Sequence, residues 1–342
     1  MKEPSSERFF QETGSRHYLA PDDAAATERY LRSLGFLIPG EEVIAVVPAG
    51  EGNMNLALRV VTNRRRVVVK QSRPWVARFP EIPAPAHRIL TERRFYQVAA
   101  RSRYLMAHMP EMLRADEANY VLILEDLGGV DDLSSVYLEG GALTRKQLQS
   151  LLAYATELHR LDVVDFPDNH ELRRLNHAHI FDLPFRPDNG FPLDAIYPGL
   201  AALALPLQHD TALRAAAERV GEAYLAGGPF LLHGDFYPGS FLQSDDRTYV
   251  IDAEFAHLGR PEFDIGVLMA HLLLSRASEK RLLQIDQDYA KPPGFDAGLA
   301  RRFCFVEIIR RLIGIAQLPL SLTLDERKHL LERARAGLVG IG

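Results

Sequence analysis

The sequence predicts an α+β fold in two lobes, a small β-rich N-terminal lobe and a larger, mainly helical C-terminal lobe. Three observations predict it. Short apolar, β-branched runs recur as far as Leu124, the last of them leading into an acidic, glycine-bearing joint, Glu125-Asp126-Leu127-Gly128-Gly129. Beyond that joint, apolar residues fall mostly at helical spacing. One stretch, from Leu231 to Leu273, then carries two acidic triplets, His233-Gly234-Asp235 and Asp252-Ala253-Glu254, some seventeen residues apart. The boundary is placed at the joint, giving lobes 1–125 and 126–342.

Taken in order, Met1 to Ser15 are polar and predict a loose arm. Pro21-Asp22-Asp23 is a helix start, Ala24 to Leu34 the helix, and Gly35 its stop. Val43 to Val47 and Leu56 to Val61 read as strands. Between them Gly50, Gly52, Asn53 and Asn55 lie on a glycine-bearing turn. Such a turn can bring backbone N–H groups close to phosphates, or be a plain β-turn. Val67 to Gln71 is a strand that carries Lys70, placed either to pair nucleotide phosphates or as a surface lysine. After a proline-rich loop, Pro74 to Pro85, a helix opens at Thr91. Its Glu92 can hold Lys70 in position, or be an exposed acid favoured by the helix dipole. Tyr120 to Leu124 is a strand. It runs into the hinge, whose backbone at Glu125 and Leu127 can meet an adenine edge.

In the second lobe Gln147 to Leu161 and Thr211 to Ala226 are helices. His159 is read as structural. Asp165 to Pro198 is rich in Pro, Asn, His and Asp and predicts an extended connection, with His177 and His179 as surface loop histidines. Arg301 to Gly314 and Leu324 to Leu338 are helices, the latter capped by Thr323 or Asp325.

Composition bounds the function. The chain has 342 residues, 47% of them hydrophobic and 25% charged, which are ordinary globular values. A net charge of −5 gives no basic excess for nucleic acid. One cysteine, Cys304, excludes an internal disulfide and any multi-cysteine metal site. With neither a signal-like segment nor an apolar run of about 18 residues, the expectation is a cytoplasmic protein without a membrane span.

The two acidic triplets suit phosphoryl transfer from Mg-ATP. An acceptor hydroxyl loses its proton late, so a carboxylate needs to orient it more than deprotonate it; Asp235 is the candidate. His233 buttresses the loop. Asp252 and Glu254 lie two apart after a strand. If the backbone stays extended they share a face and offer hard oxygen ligands to Mg²⁺. Asp264 can brace the catalytic loop through backbone N–H groups, or be an ordinary N-cap.

The ordered set resembles the aminoglycoside phosphotransferase/choline kinase-like group, which shares the bilobal protein-kinase-like fold, and within it the 5-methylthioribose kinases. Gly52-Asn53-Met54-Asn55-Leu56, the strand Val68-Val69-Lys70-Gln71 with Pro74-Trp75-Val76, HGDFYPGS, and IDAEFAHLGRPEFDIG carry the likeness. So does Ile308-Ile309-Arg310-Arg311-Leu312-Ile313-Gly314. The likeness spans roughly Val43 to Gly314. It implies an ATP-dependent kinase acting on the 1-hydroxyl of methylthioribose in methionine salvage, with ATP and Mg²⁺ as cofactors. By position it implies Lys70 on the phosphates, Asp235 on the acceptor, and Asp252 and Glu254 on the metal. It also places Ser240 where the wider group carries a metal-binding asparagine, and Arg310 and Arg311 on the sugar. A homodimer is a further carry-over. The loop after Trp75 and the segment Asp165 to Pro198 depart from the pattern. Another sugar, an amino alcohol or an aminoglycoside therefore stands as the alternative acceptor, and a kinase-like binding module without turnover as the third reading. Adjacent guanidiniums repel cationic acceptors and suit hydroxyl-rich or anionic ones.

Overall fold

The structure, a computed structural model, describes residues 6–21, 23–50, 54–244 and 246–340. The chain forms two compact units, Met1–Asp131 and Asp132–Gly342. The first is β-rich and the second mainly helical, so the α+β class read from the sequence holds.

The first unit opens with a correction. Ser6–Thr13 is a helix, α1, rather than a loose arm. Phe9 on it is fully buried, with its ring centroid 5.5 Å from that of Tyr18 and 6.5 Å from that of Trp75. Two adjacent aromatics, Phe9 and Phe10, in a polar stretch give no period to read, and the Phe9 partner Trp75 lies far along the chain. Helix α2, Ala24–Ser33, starts where Asp23 accepts the Ala26 N–H at 2.9 Å. Strands β1 (Val43–Pro48), β2 (Leu56–Thr62) and β3 (Arg66–Gln71) follow as antiparallel neighbours. The proline-rich loop forms a short ribbon, β4 (Trp75–Val76) with β5 (Phe79–Pro83). Helix α3, Arg88–Ala99, begins at Arg88, earlier than Thr91. Then come α4 (Arg103–Ala107), β6 (Met112–Asp116) and β7 (Val121–Glu125). The sheet order is β1-β2-β3-β7-β6. Alternation sends Val67 and Val69 of β3 into a core with Leu58, Val60, Val121, Ile123, Tyr30 and Leu31. Lys70, next along the strand, projects from the opposite face.

In the second unit α5 (Arg145–His159) carries a capping box between Thr144 and Gln147. The expected extended connection is largely helical. Helix α6 (His170–His177) runs into a π-helical turn, Ala178–Asp182, then a 3₁₀ turn, Leu183–Phe185, and later α7 (Leu193–Ile196). Asn169 takes a left-handed backbone, φ +51°, ahead of α6, and its side-chain amide donates to the carbonyls of Glu254 and Ala256. Leu172, Ile180, Phe181 and Phe185 supply a buried face that the polar composition hides. His177 and His179 are thus half-buried helical residues, not surface loop ones.

Helices α8 (Leu200–Gln208), α9 (Thr211–Leu225) and strands β8 (Phe230–Leu232), β9 (Phe241–Ser244), β10 (Arg247–Val250) and β11 (His257–Gly259) come next. The chain closes with α10 (Glu262–Leu274), α11 (Glu279–Asp288), α12 (Ala297–Ile313) and α13 (Leu324–Val339). Thr323, not Asp325, caps α13, in a box with Glu326. Helices α10 and α12 pack closely: a Cβ on Gly266 would lie 2.6 Å from the Ala300 carbonyl oxygen. Among the described residues no helix is long and apolar enough to cross a membrane.

Candidate active site

Two antiparallel ribbons frame the site of the second unit, β8 with β11 and β9 with β10. Leaving β8, the chain enters His233-Gly234-Asp235, and three contacts fix that loop. Asp264, in the first turn of α10, accepts the His233 N–H at 2.8 Å and the Gly234 N–H at 3.0 Å. Pro261 holds the N-cap position, so Asp264 braces the loop and does not cap the helix. Burial opposes ionisation of Asp264, but the hydrogen bonds from the His159 ring at 3.2 Å and from the His233 backbone outweigh it, and the carboxyl lies below its usual range. His159, buried on α5, also meets the Tyr289 hydroxyl at 2.8 Å, the structural role read from the sequence.

His233 supplies the second contact. Its Nε2–H donates to the Ile251 carbonyl at 2.9 Å, while Nδ1 accepts the Asp235 N–H at 3.3 Å. A ring that donates at one nitrogen and accepts at the other is neutral. Burial, which holds this imidazole below its usual pKa, favours that form. Gly234 is the third contact. Its φ is +82°, and a Cβ there would meet the Phe255 carbonyl oxygen at 2.2 Å, so only glycine fits. The loop therefore lies against the backbone just after the second triplet.

Asp235 keeps about a quarter of its side chain open. Burial pushes its carboxyl up to about 6, against the pull of Arg311 and Arg310. The Arg311 Nη2 lies 3.8 Å from its Oδ1. Arg311 stacks over the Tyr237 ring at 4.7 Å, and its Nε donates to Glu307 at 2.6 Å. Arg310 Nη1 donates to both Glu307 oxygens at 3.0 Å. The structure thus brings Asp235 and Arg311 together.

At the second triplet the extended-backbone premise fails. Asp252 is left-handed, φ +65°, and Ala253–Phe255 is a 3₁₀ turn, so strand alternation does not put Asp252 and Glu254 on one face. Glu254 is buried. Ser240, also buried, joins the strand end through its carbonyl, which accepts the Ile251 N–H at 2.9 Å. A hydroxyl and two carboxylates are hard oxygen donors of the kind Mg²⁺ takes. Among the described residues no three His, Cys, Asp or Glu groups are gathered closely enough to hold an ion by themselves.

In the first unit Lys70 Nζ sits 2.8 Å from both oxygens of Glu92, and both residues are buried. The readings as a surface lysine and an exposed helix-start acid are excluded. Asn55 is buried, and its side-chain oxygen accepts the Ser72 hydroxyl at 2.9 Å. Gly50 lies at the other end of that turn, with φ +153°. Gly52 and Asn53 lie outside the described residues. Arg88, fully buried, donates to the Met54 carbonyl at 2.6 Å and pins the turn. Glu125 ends β7 and is tied to Glu111 through its N–H at 2.8 Å and its carboxylate at 3.0 Å; Leu127 follows, half-buried.

Residues 46–302 match the phosphotransferase enzyme family. The chain belongs to that family. It is similar to a methylthioribose kinase of Exiguobacterium sibiricum, 26% identical over 360 residues that cover 92% of this chain and 90% of the relative. Among solved structures, a choline kinase from Streptococcus pneumoniae superposes with a TM-score of 0.53 at 14% identity, covering 92% of this chain and 98% of that one. A spectinomycin phosphotransferase crystallised with ADP and spectinomycin gives 0.50 at 14% identity, covering 92% and 95%. The fold is kinase-like, and the resemblance to methylthioribose kinases read from the motifs is borne out.

Sequence reading missed several residues of this phosphotransferase. Glu307 stands three and four residues before the two arginines on α12, the spacing at which helix neighbours meet, and that was the available signal. His271, Tyr137 and Tyr237 gave none, because they reach the arginine cluster from separate elements.

Proposed function

We propose that this phosphotransferase is an ATP-dependent small-molecule kinase that phosphorylates the 1-hydroxyl of 5-methylthioribose in methionine salvage. The observation that carries the reading is the Asp235 carboxylate on a loop locked by Asp264, with the Arg311 guanidinium 3.8 Å away. A carboxylate beside a guanidinium suits a neutral polyol better than a cationic amino alcohol or aminoglycoside. The similarity to methylthioribose kinases over most of both chains supports the same acceptor.

In this reading Asp235 accepts a hydrogen bond from the acceptor hydroxyl, aims it at the γ-phosphate and takes its proton late in transfer. Arg310 and Arg311 contact the sugar. Lys70, steadied by Glu92, holds the α/β-phosphates of ATP, while Gly50, Gly52, Asn53 and Asn55 belong to the turn that covers them. Glu125 and Leu127 present backbone to the adenine. Asp252, Glu254 and Ser240 would hold Mg²⁺, which when bound draws charge from the phosphates. In this reading residues 1–125 form the nucleotide-binding lobe and 126–342 the catalytic lobe of a cytoplasmic, homodimeric enzyme.

The test is ADP release with Mg-ATP against methylthioribose, ribose, other pentoses, choline, homoserine and kanamycin. Turnover confined to methylthioribose is the expected result. Preference for another member would move the protein to a sister activity, and nucleotide binding without any turnover would overturn the enzymatic reading.

A further inference from the structure

We propose that Glu307 is a positioning residue that takes the strong hydrogen bonds of Arg310 and Arg311 and so keeps Asp235 open for the acceptor hydroxyl. The inference rests on the kinase reading of Asp235.

Arg311 has two carboxylates within reach. Its Nε donates to Glu307 at 2.6 Å, a charge-assisted bond, whereas Nη2 stands 3.8 Å from Asp235, too far for one. Asp235 therefore feels the positive charge without surrendering its lone pairs. A buried guanidinium that lost Glu307 would turn to Asp235, because an unpaired charge there is costly.

Glu307 itself is held by three partners. Arg310 and Arg311 sit one turn on along α12. His271 of α10 reaches the same Oε1 at 3.2 Å, and its Nδ1 meets the Tyr137 hydroxyl at 2.5 Å. With Glu307 as acceptor, His271 Nε2 carries the proton and Nδ1 accepts from the tyrosine. The Tyr137 carbonyl is anchored in turn by the Ser321 hydroxyl at 2.8 Å. The Tyr237 ring lies 5.1 Å from His271 and 4.7 Å beneath the Arg311 guanidinium, closing the fork from the side of the catalytic loop. Burial opposes ionisation of Glu307, but Arg310, Arg311 and His271 hold its carboxyl well below the usual range, so it stays charged.

The experiment is a double-mutant cycle of Glu307→Gln and Arg311→Met, read as kcat, acceptor KM and ATP KM, with a crystal structure of Glu307→Gln. Glutamine keeps the size of the side chain; if that variant does not fold, Glu307→Asp replaces it throughout. The expected loss in Glu307→Gln is about 100-fold in kcat/KM for the acceptor, the scale of a misplaced reacting group, with ATP KM unchanged. On the Arg311→Met background the second change should cost at most a few-fold, the part that passes through Arg310. In the crystal structure Arg311 should sit within about 3 Å of Asp235. Near-normal turnover in Glu307→Gln, or losses that simply multiply in the double variant, would overturn the proposal. Should the wild-type protein phosphorylate no acceptor, the kinase reading fails on its own, and the crystal structure still decides: an Arg311 that stays 3.8 Å from Asp235 sinks the positioning role.

Discussion

Asp235 shows how its surroundings fit one side chain for the role proposed for it. Low-dielectric walls raise its carboxyl to about 6, and Arg311 and Arg310 limit the rise. Only the ionised form can take the proton of the hydroxyl. Activity should therefore be full above that value and fall as pH drops through it, giving kcat/KM an acidic limb near pH 6. A limb at the ordinary aspartate value would show that the free enzyme does not hold this environment. Asp235→Ala should cut kcat by about 1000-fold or more while ATP still binds, measured by single-turnover chemistry and nucleotide titration. Retained activity would remove Asp235 from its role. Asp264 teaches the companion lesson: its chemistry is spent on two backbone N–H groups, and the sequence left brace and cap equal because both place an acid in the first turn of a helix.

At the level of elements, the site is a meeting of turns on the two ribbons with the helices α10 and α12. Gly234 is where this is tightest, with a left-handed backbone and a carbonyl oxygen 2.2 Å from where a Cβ would be. Gly234→Ala should destabilise the fold by about 2 kcal/mol or more and lower kcat in the protein that still folds, checked by urea denaturation and steady-state kinetics. A variant of wild-type stability would mean that the loop can move away from the Phe255 carbonyl at no cost. The strands and helices with a clean period were legible: β1 to β3, β7, α2, α5, α9, α12 and α13 all lie close to their predicted spans. The segment Asp165 to Pro198 was not. Its polar residues read as loop, whereas Asn169, Leu172, Ile180 and Phe181 are set by partners far away in sequence.

For the molecule as a whole, buried imidazoles set the response to acid. Burial lowers His257 and His271 to about 4, below the unfolded value of 6.5. Each contributes roughly 3 kcal/mol that is complete above pH 6.5 and lost as pH falls towards 4, because the unfolded chain then binds the proton first. Asp235, raised to about 6, runs the other way, since its protonation favours the folded state as pH falls. Two imidazoles outweigh one carboxyl. A net loss of roughly 3 kcal/mol between pH 6.5 and 4 is expected, measured by chemical denaturation at each pH. Stability that rises over this range would contradict the buried, neutral state of both rings.

The sequence by itself determined the α+β class, the order of the motifs and the likeness to a phosphotransferase family, and it singled out Asp235, Lys70, Glu92, Arg310 and Arg311 as candidate site residues. These are legible because local period, turn chemistry and motif spacing are properties of neighbouring residues. Tertiary structure alone decided that Lys70 and Glu92 are a buried pair and that Asp252 leaves the strand in a left-handed turn. It also decided that Asp264 braces the His233-Gly234-Asp235 loop and that Glu307, with His271, holds the two arginines, one of which stands beside Asp235. Charge, hydrogen bonding and burial depend on distance in space, and distant segments come within reach only when the chain has folded.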